Sequence, residues 1–133
     1  MRYVMNYALK TTLKGDFADI CEKTRAALAD QGFGVLTEID FQGTIKKKLD
    51  QSIHPYVILG ACHPASAFES YQAEANIGLF LPCNVTVRVL DNGDVEVAAI
   101  DPNAMMAPLD NPGLESVAAD VHGRFERMLA ALN

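Results

Sequence analysis

The sequence predicts one α+β domain over residues 1–133, with a mostly antiparallel sheet of about five strands and helices packed on one face. In some runs the side chains alternate between two sides with a period of two residues, as they do in strands. These runs are interspersed with others whose apolar residues have helical spacing. Two valine-rich runs, 83–90 and 95–100, flank Asn92-Gly93, and an Asn-Gly pair in that position favours a hairpin. A chain of 133 residues that is 50% hydrophobic is also long enough to bury its own core.

The first third of the chain is predicted to form a strand, a helix and a second strand. Residues 2–9 alternate with a period of two and are predicted as the first strand. Asp16 can cap a helix over about 16–31, and Gly32 stops that helix. Residues 34–41 return to strand-like alternation.

The middle of the chain is predicted to contain a short helix, a central strand and a longer helix. Residues 42–50 suit a short surface helix or an irregular loop. Residues 55–62 are apolar on both sides, as expected of a central strand that is covered on both faces or used at an interface on one of them. A helix over 64 to about 75 begins on a proline, and Gly78 marks its end.

The last third of the chain follows the hairpin with a loop and a long helix. The loop covers residues 101–112 and is rich in proline and methionine. From Leu114 to Leu132, apolar residues recur at spacings of three and four, which predicts a helix with a broad apolar stripe. The sequence has no glycine-rich phosphate loop and no Gly-x-Ser-x-Gly turn, so the known nucleotide-binding and serine-hydrolase signatures are absent.

Charge and hydropathy argue against several classes of function. The formal net charge of -6 is the wrong sign for a protein that neutralises nucleic-acid phosphates or anionic lipid. No apolar run approaches the roughly 20 residues that span a bilayer, and the first residues show no export signal. Three cysteines are too few and too widely spaced for a disulfide framework, so reduced thiols are expected. We therefore expect a cytoplasmic protein with neither a nucleic-acid nor a membrane partner.

Four stretches taken together resemble one family. They are Gly-Phe-Gly-Val-Leu-Thr-Glu-Ile-Asp at 32–40, Ile-Leu-Gly-Ala-Cys-His-Pro at 58–64, Gly-Leu-Phe-Leu-Pro-Cys-Asn-Val at 78–85 and Val-Ala-Ala-Ile-Asp-Pro at 97–102. The chain resembles the domain-of-unknown-function 302 family of prokaryotic proteins over nearly its whole length. The resemblance implies a TATA-box-binding-protein-like fold with a curved antiparallel sheet, often as a homodimer. It implies no catalytic role, and the likeness of fold to a DNA-binding protein carries no function with it.

Two cysteines at predicted strand ends are the first candidates for chemistry. Cys62 precedes the predicted start of a helix, where free amide groups and the helix dipole favour a thiolate. Cys83 begins the next strand, so an antiparallel arrangement could bring both thiols to one rim of the sheet, beside His63 and Asn84. A redox pair or a group-carrying thiol is one interpretation. The other is that both cysteines are small apolar core residues, because free cysteine is among the most buried residue types.

A metal site would need further ligands. Cys62, His63, Cys83 and His54 form the only candidate set that avoids the isolated Cys21 and His122, and its spacing matches no common zinc pattern. We therefore predict no metal and no cofactor.

Charged side chains supply weaker candidates. Asp101 ends the last predicted strand and could meet Glu38 or Asp40 for acid–base work, although Asp-Pro pairs usually begin turns and acidic residues on strands are usually solvated. The lysine run 46–48 could receive an anion, or could serve solubility alone. Catalytic candidates are therefore Cys62, His63, Cys83 and Asp101.

The functional prediction is a small cytoplasmic homodimer that binds a small ligand or a protein partner. The expected binding place is a concavity between the curved sheet and the long last helix. Both sides of the strand over 55–62 are apolar, and a second copy of the chain is the simplest cover for its outward side. The alternative is a thiol-dependent enzyme or carrier, or a metal-binding protein, that uses Cys62 and Cys83. Whether the protein is an enzyme stays open.

Overall fold

A computed structural model describes residues 6–133 of the chain. Its five strands form one antiparallel sheet in the order β1-β5-β4-β3-β2. The strands are β1 (Ala8–Leu13), β2 (Gly34–Asp40), β3 (Tyr56–Cys62), β4 (Cys83–Val89) and β5 (Val95–Ile100). The helices are α1 (Phe17–Asp30), α2 (Phe41–Leu49), α3 (Pro64–Ala73), α4 (Pro102–Met106) and α5 (Glu115–Ala130).

One face of the sheet, the covered face, packs against α1 and α5. Alternation along each strand turns every second side chain towards these helices, and Leu59, Val85 and Val87 are fully buried there. Phe125 of α5 stacks on Phe33, with ring centroids 4.7 Å apart. The main core therefore lies between the sheet and these two helices. The predicted α+β class is confirmed, and the described sheet is antiparallel throughout.

Local sequence signals explain where α1 begins and ends. Asp16 caps the helix, because its carboxylate accepts a hydrogen bond from the backbone N–H of Asp19 at 3.1 Å. The helix ends at Asp30, just before Gly32. The predicted range 16–31 is confirmed.

The hairpin between β4 and β5 follows the prediction from Asn92-Gly93. The backbone N–H of Leu90 donates to the carbonyl of Asp94 at 2.8 Å. Gly93 has a φ of 90°, a value that L side chains rarely adopt. The turn places Val87 opposite Val97 on the covered face.

Three predicted boundaries differ from the structure. β1 covers Ala8–Leu13 rather than 2–9, and residues 2–5 of the prediction lie outside the described residues. The helix predicted to reach about 75 ends at Ala73, and a 3-10 helix, Ala75–Phe80, follows it. The predicted loop 101–112 contains α4, because Asp101 caps a turn that begins on a proline.

The opposite face of the sheet, the open face, is flanked by α2. Phe41 of α2 meets Tyr56 of β3 edge-on, with ring centroids 5.1 Å apart. Tyr56 lies on the open face because Val57 and Leu59 of the same strand belong to the covered side. No helix within residues 6–133 is both long and apolar enough to cross a membrane.

Candidate functional site

The open face carries a cleft across four strands. The antiparallel register places Tyr56 opposite Arg88, Arg88 opposite Glu96, and Lys10 opposite Ala98. The cleft, called here the central cleft, has a volume of about 360 Å³, which falls in the usual range for small-molecule sites. Its lining residues are Tyr7, Ala8, Lys10, Tyr56, Asn84, Thr86, Arg88, Glu96, Ala98, Ala99 and Ile100.

An ion pair fixes the orientation of the Arg88 guanidinium in this cleft. Arg88 donates to Glu96 twice, from Nε to Oε1 at 3.1 Å and from Nη2 to Oε2 at 3.5 Å. The Glu96 side chain is only 14% exposed, so this pair lies low in the cleft wall. A guanidinium has five N–H donors, and the pair with Glu96 leaves several of them available to another acceptor.

Lys10 adds a second cation to the central cleft. Its ammonium forms no salt bridge with any of residues 6–133. The charged lining residues are Lys10, Arg88 and Glu96, two cations and one carboxylate, although the whole chain has a formal net charge of -6. The central cleft is therefore a locally positive place on an acidic protein.

A second cleft, called here the side cleft, adjoins the first. Its volume is about 710 Å³, and Tyr56 and Arg88 belong to the linings of both clefts. At its mouth, the His54 imidazole and the Asp91 carboxylate lie 3.0 Å apart. The complete lining of the side cleft is Phe41, Ile53, His54, Tyr56, Arg88, Val89, Leu90, Asp91 and Asn92.

The two predicted thiols do line one cavity, at the end of the sheet between α3 and α5. The register places Cys83 opposite Ala61, so Cys83 lies diagonally next to Cys62. The cavity is about 20 Å³, which is room for about one water molecule and no substrate. Burial, and secondarily the neighbouring Cys62, raise the pKa of Cys83 to about 11, so this thiol keeps its proton at neutral pH.

His63 also lines this cavity and caps α3. Its Nδ1 accepts hydrogen bonds from the backbone N–H of Ser66 at 3.3 Å and from the Ser66 hydroxyl at 2.7 Å. Burial, and then the positive charge of Arg124, lower the pKa of His63. An acceptor at Nδ1 and a lowered pKa both favour a neutral imidazole that holds the start of the helix.

The four candidate metal ligands do not lie together. His54 precedes β3 whereas Cys62 ends it, and seven extended residues span about 20 Å. His54 instead pairs with Asp91. Across residues 6–133, no group of three or more histidine, cysteine, aspartate or glutamate side chains is placed to hold a metal ion.

The predicted group of carboxylates does not assemble. Asp101 accepts a hydrogen bond from the backbone N–H of Asn103 at 2.9 Å and lies 3.1 Å from Nδ1 of His122. Glu38 pairs with Arg25. β4 and β3 lie between the strand that precedes Asp101 and the strand that holds Glu38 and Asp40, so neither acidic residue can reach Asp101.

His122 and the first lysine of the run 46–48 each lie next to acidic side chains. His122 on α5 is half-buried between Asp101 and Glu126. The run 46–48 lies on the exposed side of α2, where Lys46 pairs with Asp50 at 2.7 Å. The run lines neither cleft of the open face.

The predicted binding place between the sheet and the last helix is filled by core side chains. Phe125 and Met128 of α5 are fully buried against the sheet, so the large clefts lie on the other face. Sequence reasoning missed Lys10, Arg88 and Glu96. The alternation of the two hairpin strands could have placed Arg88 and Glu96 on the outward side, because the neighbouring valines mark the inward side.

A family model described as "Domain of unknown function DUF302" matches residues 9–132. The chain belongs to the DUF302 family. A crystal structure of an uncharacterized conserved DUF302 protein from Bacillus stearothermophilus is similar to this chain, with a TM-score of 0.89 and 24% sequence identity. The similarity covers 96% of this chain and 98% of that chain, and it shows a shared fold. No curated protein matches the chain.

The family description confirms the resemblance found in the sequence and names no activity. The five-stranded antiparallel sheet of this DUF302 protein is compatible with a TATA-box-binding-protein-like arrangement. The function of the protein must therefore be argued from its site rather than from its fold.

Proposed function

We propose that this DUF302 protein is a homodimeric binding domain that holds a small organic anion in the central cleft. The observation that carries the proposal is the locally positive cleft, in which Lys10 and Arg88 outnumber Glu96 on a chain with a formal net charge of -6. Such a cleft attracts anions while the rest of the surface repels them.

The walls of the central cleft suit an organic rather than an inorganic anion. Tyr7, Tyr56 and Ile100 supply apolar surface, and Asn84 and Thr86 supply hydrogen-bonding groups. Ligand sites of this size commonly combine apolar walls with a few convergent polar groups. A carboxylate on a compact apolar body matches both features, because guanidinium and ammonium groups bind carboxylates well.

The homodimer is proposed from the apolar side chains that the open face leaves in water. Ile39 is 47% exposed and lies opposite Ile58 on the neighbouring strand, and neither residue lines the central cleft. A second copy of the chain is the simplest cover for these groups. We propose a cytoplasmic location, because the three cysteines are free thiols and a reducing compartment keeps thiols free.

Ligand binding is tested by calorimetric titration with benzoate and 1-naphthoate. We expect saturable binding of one molecule per chain. Removal of the ammonium in Lys10→Ala should weaken this binding about fivefold, as expected of an exposed charge pair. Lys47→Ala, on the exposed side of α2, is the matched control and should bind as the wild type does. Absence of saturable binding for both carboxylates would overturn the proposal.

The homodimer is tested by light scattering. A buried charge at the centre of the interface should be costly, so Ile58→Glu should be monomeric at concentrations where the wild type is dimeric. Ser116→Glu, on the exposed side of α5, should remain dimeric. A wild type that is monomeric, or an Ile58→Glu variant that is still dimeric, counts against this interface.

The thiol-dependent alternative receives less support from the geometry. The cavity at Cys62 and Cys83 has room for about one water molecule, and Cys83 keeps its proton at neutral pH. His63 is engaged as the cap of α3. These three observations favour a packing role for this end of the sheet.

A further inference from the structure

The central cleft and the side cleft form one trough with two chemically different ends. They share Tyr56 and Arg88, which lie opposite each other on β3 and β4. A ligand that occupies the central cleft can therefore extend into the side cleft without crossing a covered part of the sheet.

Cations are concentrated at one end of this trough. Lys10 lines the central cleft but not the side cleft, and Arg88 lines both. Because Glu96 holds one edge of the Arg88 guanidinium, the remaining N–H donors keep a defined direction. A single carboxylate bound beside Arg88 would lie in the same cleft as Lys10, so both cations would attract it.

Apolar side chains dominate the other end of the trough. Phe41, Ile53 and Leu90 line the side cleft beyond Tyr56, whereas the Val89 side chain packs against the main core. Tyr56 is supported edge-on by Phe41, at an interplanar angle of 64°, so its ring forms a fixed side wall that the two clefts share. An apolar chain laid along this wall is removed from water on one side.

The acidic group in the side cleft is Asp91, which is exposed and adjacent to His54. A second negative charge at the far end of a ligand would meet this carboxylate. The side cleft therefore discriminates against ligands that carry a charge at both ends.

We propose that the ligand is an elongated alkyl monocarboxylate whose carboxylate lies between Lys10 and Arg88 and whose chain passes Tyr56 into the side cleft. This inference rests on the proposed function and specifies its ligand class. The apolar groove of the side cleft then binds the ligand's tail, and the central cleft binds its head group.

The inference is tested by calorimetric titration with hexanoate, octanoate and decanoate below their micelle concentrations. Because an open cleft removes a chain from water on one side only, the dissociation constant should fall about twofold per added methylene, against about fourfold for complete burial. Decanedioate should bind more weakly than decanoate, because its second carboxylate faces Asp91. Lys10→Ala should weaken all three monocarboxylates by the same factor.

A variant in the side cleft separates this inference from the proposed function. Ile53→Asp introduces a charge where the tail should lie, so it should abolish the gain with chain length, whereas benzoate, which has no tail, should lose affinity only through the added negative charge. Leu49→Asp is the matched control, because Leu49 is exposed on α2 and lines neither cleft. It should retain the gain.

Each failure has a distinct meaning. Equal dissociation constants for hexanoate and decanoate, with benzoate binding intact, overturn the elongated ligand and leave the proposed function standing. A gain with chain length that survives Ile53→Asp also overturns the inference, because the tail then lies elsewhere. Absence of binding for benzoate and 1-naphthoate overturns the proposed function itself.

Discussion

The two faces of the sheet are built from the same strands but have different chemistry. Val87 on the covered face is fully buried, whereas its neighbours Thr86 and Arg88 on the open face are partly exposed. The covered face lies under α1 and α5, and its side chains are apolar and closely packed against these helices. The open face combines ion pairs, hydroxyls and tyrosines, which is a composition suited to binding.

The sharpest test of this difference places the same charge on consecutive residues of β4. Val87→Asp should cost more than about 4 kcal/mol of unfolding free energy, because a carboxylate would be buried among apolar side chains. Thr86→Asp should change it by less than about 1 kcal/mol, because the same group can reach water on the open face. Urea unfolding followed by circular dichroism measures both.

The outcome also concerns binding. Thr86→Asp adds a negative charge to the central cleft, so it should weaken benzoate binding while the protein stays folded. Similar losses of stability for Val87→Asp and Thr86→Asp would contradict the difference between the two faces, because they would show that Thr86 is buried in solution.

A glycine substitution tests how closely the open face is packed near its edge. A Cβ on Gly60 would meet the side chain of Thr37 and approach Cγ of Pro82 to 2.7 Å. Gly60→Ala should therefore lower the unfolding free energy by about 1–3 kcal/mol. Gly34→Ala is the matched control, because nothing lies within 4 Å of a Cβ placed there. Thermal unfolding that shows equal effects for both variants would contradict the tight contact.

The thiols provide a chemical test at the end of the sheet. At pH 7, iodoacetamide should alkylate Cys62 more than about tenfold faster than Cys83, because Cys83 is buried and its pKa is raised to about 11. Mass spectrometry of the native protein after timed quenching measures the two rates. Rapid labelling of Cys83 would restore the thiol-dependent alternative.

The smallest expected effect concerns the pH dependence of stability at His63. Because the pKa of His63 is lowered on folding, the native state binds fewer protons there than the unfolded chain does. Its contribution to stability is present above the unfolded pKa of about 6.5 and declines as pH falls through the lowered folded value.

His63→Asn keeps a side chain that can cap α3 but removes the titrating group. The variant should therefore lose stability less steeply than the wild type below about pH 6.5. Urea unfolding at a series of pH values compares the two slopes, and identical slopes would show that His63 does not titrate differently in the two states.

Local sequence signals predicted much of this fold. Asp16 and the Asn92-Gly93 pair specify their helix start and hairpin through contacts within a few residues, so no distant part of the chain is needed. The missed helix α4 also had a local signal, since Asp101 followed by a proline can cap a helix as well as begin a turn. The predicted range of β1 differs from the observed one because alternation of side chains indicates a strand but does not fix its ends.

The site was predicted less well than the fold. Sequence analysis raised a shared rim for Cys62 and Cys83, and both residues line one small cavity, because neighbouring antiparallel strands bring the end of one beside the start of the next. The candidate metal ligands do not come together, because His54 precedes β3 and Cys62 ends it. Residues that are close in sequence lie far apart when the chain between them is extended, and a list of candidate ligands does not show this separation.

The amino-acid sequence by itself determined the class of the domain, its DUF302 resemblance, the hairpin and the inward side of each central strand, since these depend on periodicity and on neighbouring residues. Only the tertiary structure decided that Lys10, Arg88 and Glu96 line one cleft. Lys10 lies about 80 residues before the other two, and the pairing of β1 with β5 is set by burial of the whole covered face. The clefts exist because the helices that close the core lie on one side of the sheet and leave the other side to a ligand or a second chain.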